Sequence, residues 1–282
     1  MLFLLFSPLA VRAAETEQQQ ILQRIEIIKQ ELKLLRSLLI NLQIAHQGAE
    51  ITAKSYLAIN LSDDSVLMEK NSDESYPIAS ITKMMTAVIV FEEIDLNRKI
   101  TLTEEMLKPY GHSPSVYLGL SINAENLLKA TIIQSVNDAA ESLSYFIGKE
   151  RFVALMNQKA EEIGMASTIF YDAHGLNPKN SSCAQDLAKL LSYVHENHPE
   201  ILNISRDNDF WLPDPAGKSL KFRNLNNFYP LASFMGGKSG YLPQAKDTFA
   251  AIFNINGNAV AIIVLYSENH QADIFSIIKN LP

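Results

Sequence analysis

Ser80 and Lys83 stand three residues apart in Pro77-Ile78-Ala79-Ser80-Ile81-Thr82-Lys83-Met84-Met85, at the head of an apolar run that continues to Val90. Pro77 keeps the chain from being helical upstream, whereas residues 84–93 have the composition and length of a buried helix. The serine is therefore expected at or beside a helix N-terminus. There, unpaired N–H groups and the positive end of the helix dipole favour an alkoxide-like oxygen or an oxyanion. Lys83 comes back over the same face, so its amine can reach the hydroxyl. A serine nucleophile with a lysine base is the chemistry this spacing offers. Because the spacing is common by chance in a chain of this length, its meaning rests on partners downstream.

Two stretches qualify. Residues 127–144 have a helical pattern that is interrupted at Gln134-Ser135-Val136-Asn137-Asp138-Ala139-Ala140. Ser135 and Asn137 can both face a site only from a loop or a helix start; plain helix capping is the alternative. Near the other end comes Gly236-Gly237-Lys238-Ser239-Gly240-Tyr241. Its glycines allow close approach of another backbone, and the lysine beside a hydroxyl suits a carboxylate; an exposed glycine turn is the alternative.

The elements that must position these residues follow from the pattern of the chain. Residues 55–61 and 65–70 read as two strands around Ser62-Asp63-Asp64, a hairpin leading into the serine segment. Residues 248–255 and 259–266 are β-rich runs joined at Asn256-Gly257, expected at the sheet centre just after the lysine segment, and a helix over 272–281 closes the chain. The 282 residues are 47% hydrophobic and 20% charged, enough for a full core. A net charge of −7 offers no basic stripe for phosphates, so nucleic acid is excluded as a partner. Cys183 is the single cysteine, which rules out an internal disulfide and leaves the compartment open.

Ahead of the globular part, residues 1–14 read as an export signal, cleaved or retained as an anchor: an apolar run followed by Val11-Arg12-Ala13-Ala14. Residues 15–47 lack Gly and Pro, and apolar residues at Ile21, Ile25, Ile28, Leu32, Leu35, Leu39 and Leu42 follow a 4,3 spacing. That is a heptad seam on a helix of about 50 Å, a coiled coil whose partner is a second copy, another protein, or the chain's own globular domain. The charges do not choose: Glu31 and Arg36 attract across a parallel pair while Arg24 and Lys29 repel.

Taken in order, Ser80-x-x-Lys83, Ser135-x-Asn137 and Lys238-Ser239-Gly240 resemble the active-site set of penicillin-binding proteins and serine β-lactamases. Within that group the chain is similar to the low-molecular-mass D-alanyl-D-alanine carboxypeptidase family. The closer likeness is carried by residues 79–87 and 135–140, Met156-Asn157, Asp172-Ala173-His174-Gly175-Leu176, Asn224-Leu225-Asn226 and residues 236–241, and it spans about residues 52–282. Ser239 stands where the family usually has Thr, Lys246 where it usually has Gly, and Ser182-Cys183-Ala184-Gln185-Asp186 is a modified form of a Ser-Thr-Ala-x-Asp segment.

The resemblance implies an α/β fold over residues 48–282: three α/β/α layers with an antiparallel sheet and a helical lobe, the site lying between lobe and sheet. It implies that Ser80 attacks a peptidoglycan stem peptide ending in D-Ala-D-Ala, with Lys83 as proton acceptor, Ser135 as proton relay and Asn137 on the substrate amide. Lys238, Ser239 and Gly240 would bind the substrate at its terminal carboxylate, and the Ser80 and Tyr241 N–H groups would form the oxyanion hole. β-Lactams would acylate the same serine, no cofactor is required, and the site would act outside the cytoplasm. A carboxypeptidase and a cross-link endopeptidase are both compatible with this set. A β-lactamase is the weaker reading: class A enzymes carry a Glu shortly before Leu-Asn between the second and third segments, and Glu161-Glu162-Ile163-Gly164 does not match it. A non-catalytic scaffold would have no need of the Ser80–Lys83 pair. His195 and His198 are the one close histidine pair and fit a helix end better than a metal, His174 reads as structural, and Trp211 reads as core or cleft wall.

Overall fold

The computed structural model describes residues 19, 21–32, 35, 39, 50–111, 113–213 and 219–282. The apolar leader over residues 1–14 lies outside the described residues, as does much of 15–47. Residues 21–32 are helical, and their apolar side chains, Ile21, Ile25, Ile28 and Leu32 among them, are all exposed. None of the described helices is long and apolar enough to cross a membrane.

The globular part is built on one antiparallel sheet. The hairpin forms as expected, with β1 (Ser55–Asn60) and β2 (Val66–Lys70) turned where the Asp63 carboxylate accepts from the Ser65 amide and hydroxyl. Strands β3 (Phe234–Leu242), β4 (Lys246–Ile255) and β5 (Asn258–Ser267) complete it, in the order β2-β1-β5-β4-β3. Asn256 and Gly257 both take positive φ, as a two-residue hairpin turn between β4 and β5 requires.

The inner strands are apolar on both faces because both faces are covered. Along β5, Val260, Ile262 and Val264 pack with Ile274, Phe275 and Ile277 of α7 (His270–Asn280), while Ala261, Ile263 and Leu265 belong to the larger core on the other side. That larger core unites the sheet with α1 (Thr82–Glu93), α2 (Ala124–Ile133), α4 (Lys149–Glu162) and α5 (Ala184–Asn197). Helices on both faces of an antiparallel sheet make the three layers inferred from the sequence.

The lobe is α2 and α3 (Asn137–Ser144), with the ribbon of Lys99–Thr101 against Ser121–Asn123 leading into it. Asn123 caps α2, accepting from the Asn126 amide at 3.0 Å. Helix α6 (Pro199–Arg206) starts on its proline and packs against β3. A second ribbon, Phe210–Pro213 against Ser219–Phe222, carries Trp211 on its outer side, 58% exposed with the Lys221 ammonium over its ring. Trp211 is therefore not a core residue: Phe210 and Leu212, which alternate with it, take the inward positions.

Candidate active site

Ser80 lies in a single 3-10 turn, Ala79–Ile81, that runs directly into α1. Ala79 takes φ +47°, a left-handed conformation that costs a non-glycine residue about 1 kcal/mol. The turn is held from two sides: the Ile78 amide donates to the Asn180 carbonyl at 3.0 Å, and the Thr248 hydroxyl of β4 donates to the Ile78 carbonyl at 3.1 Å. Lys83 is fully buried one turn on, with Nζ 2.9 Å from Ser80 Oγ.

Nζ has two further partners, Asn137 Oδ1 at 2.8 Å and the His174 carbonyl at 2.5 Å. Both are acceptors only, so they engage two N–H bonds. A neutral amine then has its lone pair left for the third direction, where the serine hydroxyl lies. The electrostatics favour that state: burial drives the Lys83 pKa well below its ordinary value, the Lys238 charge adds to the fall, and Asp172 opposes it.

The lobe presents its residues from a break between helices. Helix α2 ends at Ile133, Ser135 takes φ +59°, and α3 begins at Asn137. The Asn137 amide is oriented by the Tyr110 carbonyl, which accepts from Nδ2 at 2.7 Å and so turns Oδ1 toward Lys83. Ser135 is half-buried beside it, and its hydroxyl is not one of the Nζ partners.

The glycine-flanked Lys238 segment does not precede the sheet; it is the sheet's edge strand, β3, paired only with β4. Intrinsic preference disfavours so many glycines in a strand, but close packing demands them. A Cβ on Gly236 would come within 2.7 Å of Leu202, and one on Gly240 within 2.7 Å of the Ser80 amide nitrogen. Lys238 is 4% exposed, donates to the Ser239 carbonyl at 2.8 Å, and has its pKa brought down to about 7 by burial. Ser239 is half-buried, and Tyr241, 64% exposed, lies at the outer end of the strand.

Sequence reasoning missed three contributors: the carbonyls of His174 and Tyr110, and the Thr248 hydroxyl. No residue type signals a carbonyl, since every residue has one. The His174 carbonyl is fixed by its loop. The Asp172 carboxylate accepts from the amides of His174, Gly175 and Asn177 at 3.1, 2.5 and 2.7 Å, and Thr86 Oγ1 donates to the Ala173 carbonyl at 2.6 Å. His198 goes to Glu92 at 3.1 Å, and among the described residues no group of three or more His, Cys, Asp or Glu is arranged to hold a metal.

The structure thus joins Ser80, Lys83 and Asn137 by direct hydrogen bonds and sets Gly240 against the serine turn, with a buried cation on the same strand. Such a site can deprotonate a serine without a histidine and can attract an anion to the strand edge.

Comparison with known proteins gives the family. Residues 42–269 match the family described as D-alanyl-D-alanine carboxypeptidase. A D-alanyl-D-alanine endopeptidase of Haemophilus influenzae is 34% identical over 200 residues, covering 68% of each chain. The D-alanyl-D-alanine carboxypeptidase DacF of Bacillus subtilis is 31% identical over 244 residues, 80% of this chain and 59% of the relative. Penicillin-binding protein D2 of Listeria monocytogenes, solved in a cefotaxime-bound form, superposes with a TM-score of 0.72 at 26% identity, over 82% of this chain and 96% of that one.

Proposed function

The chain belongs to the D-alanyl-D-alanine carboxypeptidase family, and from that premise we propose that it removes the terminal D-alanine of peptidoglycan stem peptides through an acyl-serine. Ser80 Oγ attacks the carbonyl of the penultimate D-alanine as its proton passes to Lys83 Nζ. The peptide bond breaks, the terminal D-alanine leaves with a proton relayed by Ser135, and water hydrolyses the ester. Asn137 holds the substrate's peptide group, and Lys238 with Ser239 and Gly240 receives the terminal carboxylate along the edge of β3. The oxyanion sits on the Ser80 and Tyr241 N–H groups. β-Lactams mimic the substrate and acylate the same oxygen. The observation that carries this reading is the three-way coordination of Lys83 Nζ, two acceptors and one serine hydroxyl around a buried amine of lowered pKa.

Endopeptidase action on cross-links is the second reading. It is favoured by the relatives of that name in Haemophilus influenzae and Escherichia coli, 34% and 31% identical. Either way the reaction takes place on the cell wall, outside the cytoplasm. In this reading residues 1–14 carry the chain to the membrane, 15–47 join it through a coiled coil to a second copy or a wall protein, and 48–282 do the chemistry.

The test is intact-mass spectrometry of the chain with a penicillin, beside Ser80→Ala. A lasting single adduct that the variant lacks is expected; rapid penicillin turnover without an adduct would mark a β-lactamase, and neither adduct nor turnover would leave a scaffold. Free D-alanine released from a pentapeptide marks the carboxypeptidase. Cleavage confined to cross-linked dimers marks the endopeptidase.

A further inference from the structure

A second group of buried ionisable side chains lies behind Lys83, outside the set that meets the substrate. Glu141 is one turn beyond Asn137 on α3, so the two side chains leave the helix on the same side. Asn137 reaches Lys83 itself. The Glu141 carboxylate, 5% exposed, closes an ion pair with Lys149 through Oε1 and directs Oε2 to within 3.6 Å of His174 Nε2.

Nδ1 of that ring accepts from the Leu176 amide at 3.2 Å and also lies 3.3 Å from Asp172 Oδ1; with Nδ1 taking the amide proton, the imidazole proton sits on Nε2, facing Glu141. Burial keeps the ring neutral, with its pKa lowered to about 4, so it acts as a strut with one donor rather than as a charge. The same residue supplies the carbonyl that takes an N–H from Lys83 Nζ at 2.5 Å. Its neighbour Gly175 touches the serine turn so closely that a Cβ there would stand 2.0 Å from the Ala79 carbonyl oxygen. Any shift of residues 174–175 therefore moves a partner of the amine and presses on the turn that carries the nucleophile.

We infer that Glu141 is a positioning residue: through the His174 ring it holds the His174 carbonyl where Lys83 must donate to it, and so aims the amine's lone pair at Ser80. The inference rests on the serine peptidase reading. Without the carboxylate the ring loses the charged oxygen that faces Nε2–H at 3.6 Å, the carbonyl gains freedom, and an amine with a misplaced acceptor turns its lone pair away from the hydroxyl. Glu141→Ala is expected to remain folded. The side chain borders a cleft of about 280 Å³ that also touches Lys149 and His174, so water can enter and solvate the released ammonium.

The experiment is stopped-flow acylation of the full chain by a chromogenic cephalosporin, separating the acylation rate from the affinity of the first complex. Glu141→Ala is expected to lower the acylation rate about tenfold with affinity unchanged. Glu141→Gln keeps an oxygen facing Nε2–H and is expected to recover most of the rate. Glu141→Ala combined with His174→Ala should be no slower than His174→Ala alone, because one acts through the other. A merely structural role would lower the melting temperature of every variant and leave the rate of the folded protein unmoved. An acylation rate for Glu141→Ala within twofold of the parent overturns the inference, as does multiplication of the two single effects. A parent chain that takes no adduct overturns the reaction, and the inference with it.

Discussion

Gly240→Ala probes the closest approach in the site, where the edge strand passes the serine turn. The added Cβ would lie 2.7 Å from the Ser80 amide nitrogen, 2.8 Å from Thr248 Oγ1 and 3.0 Å from Ala79 Cβ. Two of these neighbours are backbone or Cβ, and the third is a hydroxyl tied to the Ile78 and Gly240 carbonyls at 3.1 and 3.2 Å, so no flexible side chain can swing aside. Restoring ordinary contact requires strand and turn to part by about 0.7 Å. That gap opens between Lys238, which is to receive the carboxylate, and Ser80, which is to attack. Since a misplacement of about 1 Å costs roughly a hundredfold in rate, the acylation constant should fall about 10- to 50-fold. Overpacking should cost about 1–3 kcal/mol of stability besides. Stopped-flow acylation by a penicillin, run beside urea denaturation, measures both. A variant that acylates within threefold of the parent would refute the claim that contact between β3 and the serine turn sets the attack geometry.

Three further outcomes follow from the same structure. The Lys238 pKa falls from 10.5 to about 7 on folding, so between those values the unfolded chain holds a proton that the folded chain lacks. Stability should therefore climb as pH rises through that window, with the full penalty of burying the charge present below about 7. Lys238→Met should be the more stable protein at pH 6, lose that advantage by pH 10 and fail to process peptides with a free C-terminal carboxylate; a stability difference that ignores pH would refute it. Lys246 takes φ +54°, and its exposed ion pair with Glu268 at 3.5 Å counts for little. Lys246→Gly should gain about 0.5–1 kcal/mol by urea denaturation, and a loss would refute the strain. If the seam pairs with a second copy, light scattering should give an oligomer for the parent chain and a monomer for Ile25→Asp/Leu32→Asp. A monomeric parent would rule out self-association through residues 15–47.

Much of the fold was legible because it rests on local pattern. Two strand-like runs around the polar turn Ser62-Asp63-Asp64 marked β1 and β2, and Asn256-Gly257 marked the β4–β5 turn, since a two-residue hairpin needs positive φ at both positions. The break at Gln134 to Ala140 was legible too, because polar residues in an apolar helix must face something. The segment around Lys238 was misplaced ahead of the sheet for a physical reason. Its glycines weaken any local preference for a strand, and only the neighbours that exclude a Cβ, Leu202 and the Ser80 amide, explain why they are there.

The candidate site divides in the same way. Residue types and spacing singled out the groups proposed to carry the chemistry, because a hydroxyl, an amine and a carboxamide are properties of side chains and the three-residue step of a helix turn brings Ser80 and Lys83 together. Tertiary structure alone decided what those groups are like. The amine of Lys83 is driven toward its neutral form by complete burial and the nearby charge of Lys238, and two fixed acceptors orient it. One of those acceptors is a backbone carbonyl 91 residues along the chain. Dielectric, field and the direction of a lone pair depend on what surrounds a group in space, and the folded chain supplies those surroundings from residues far apart in sequence.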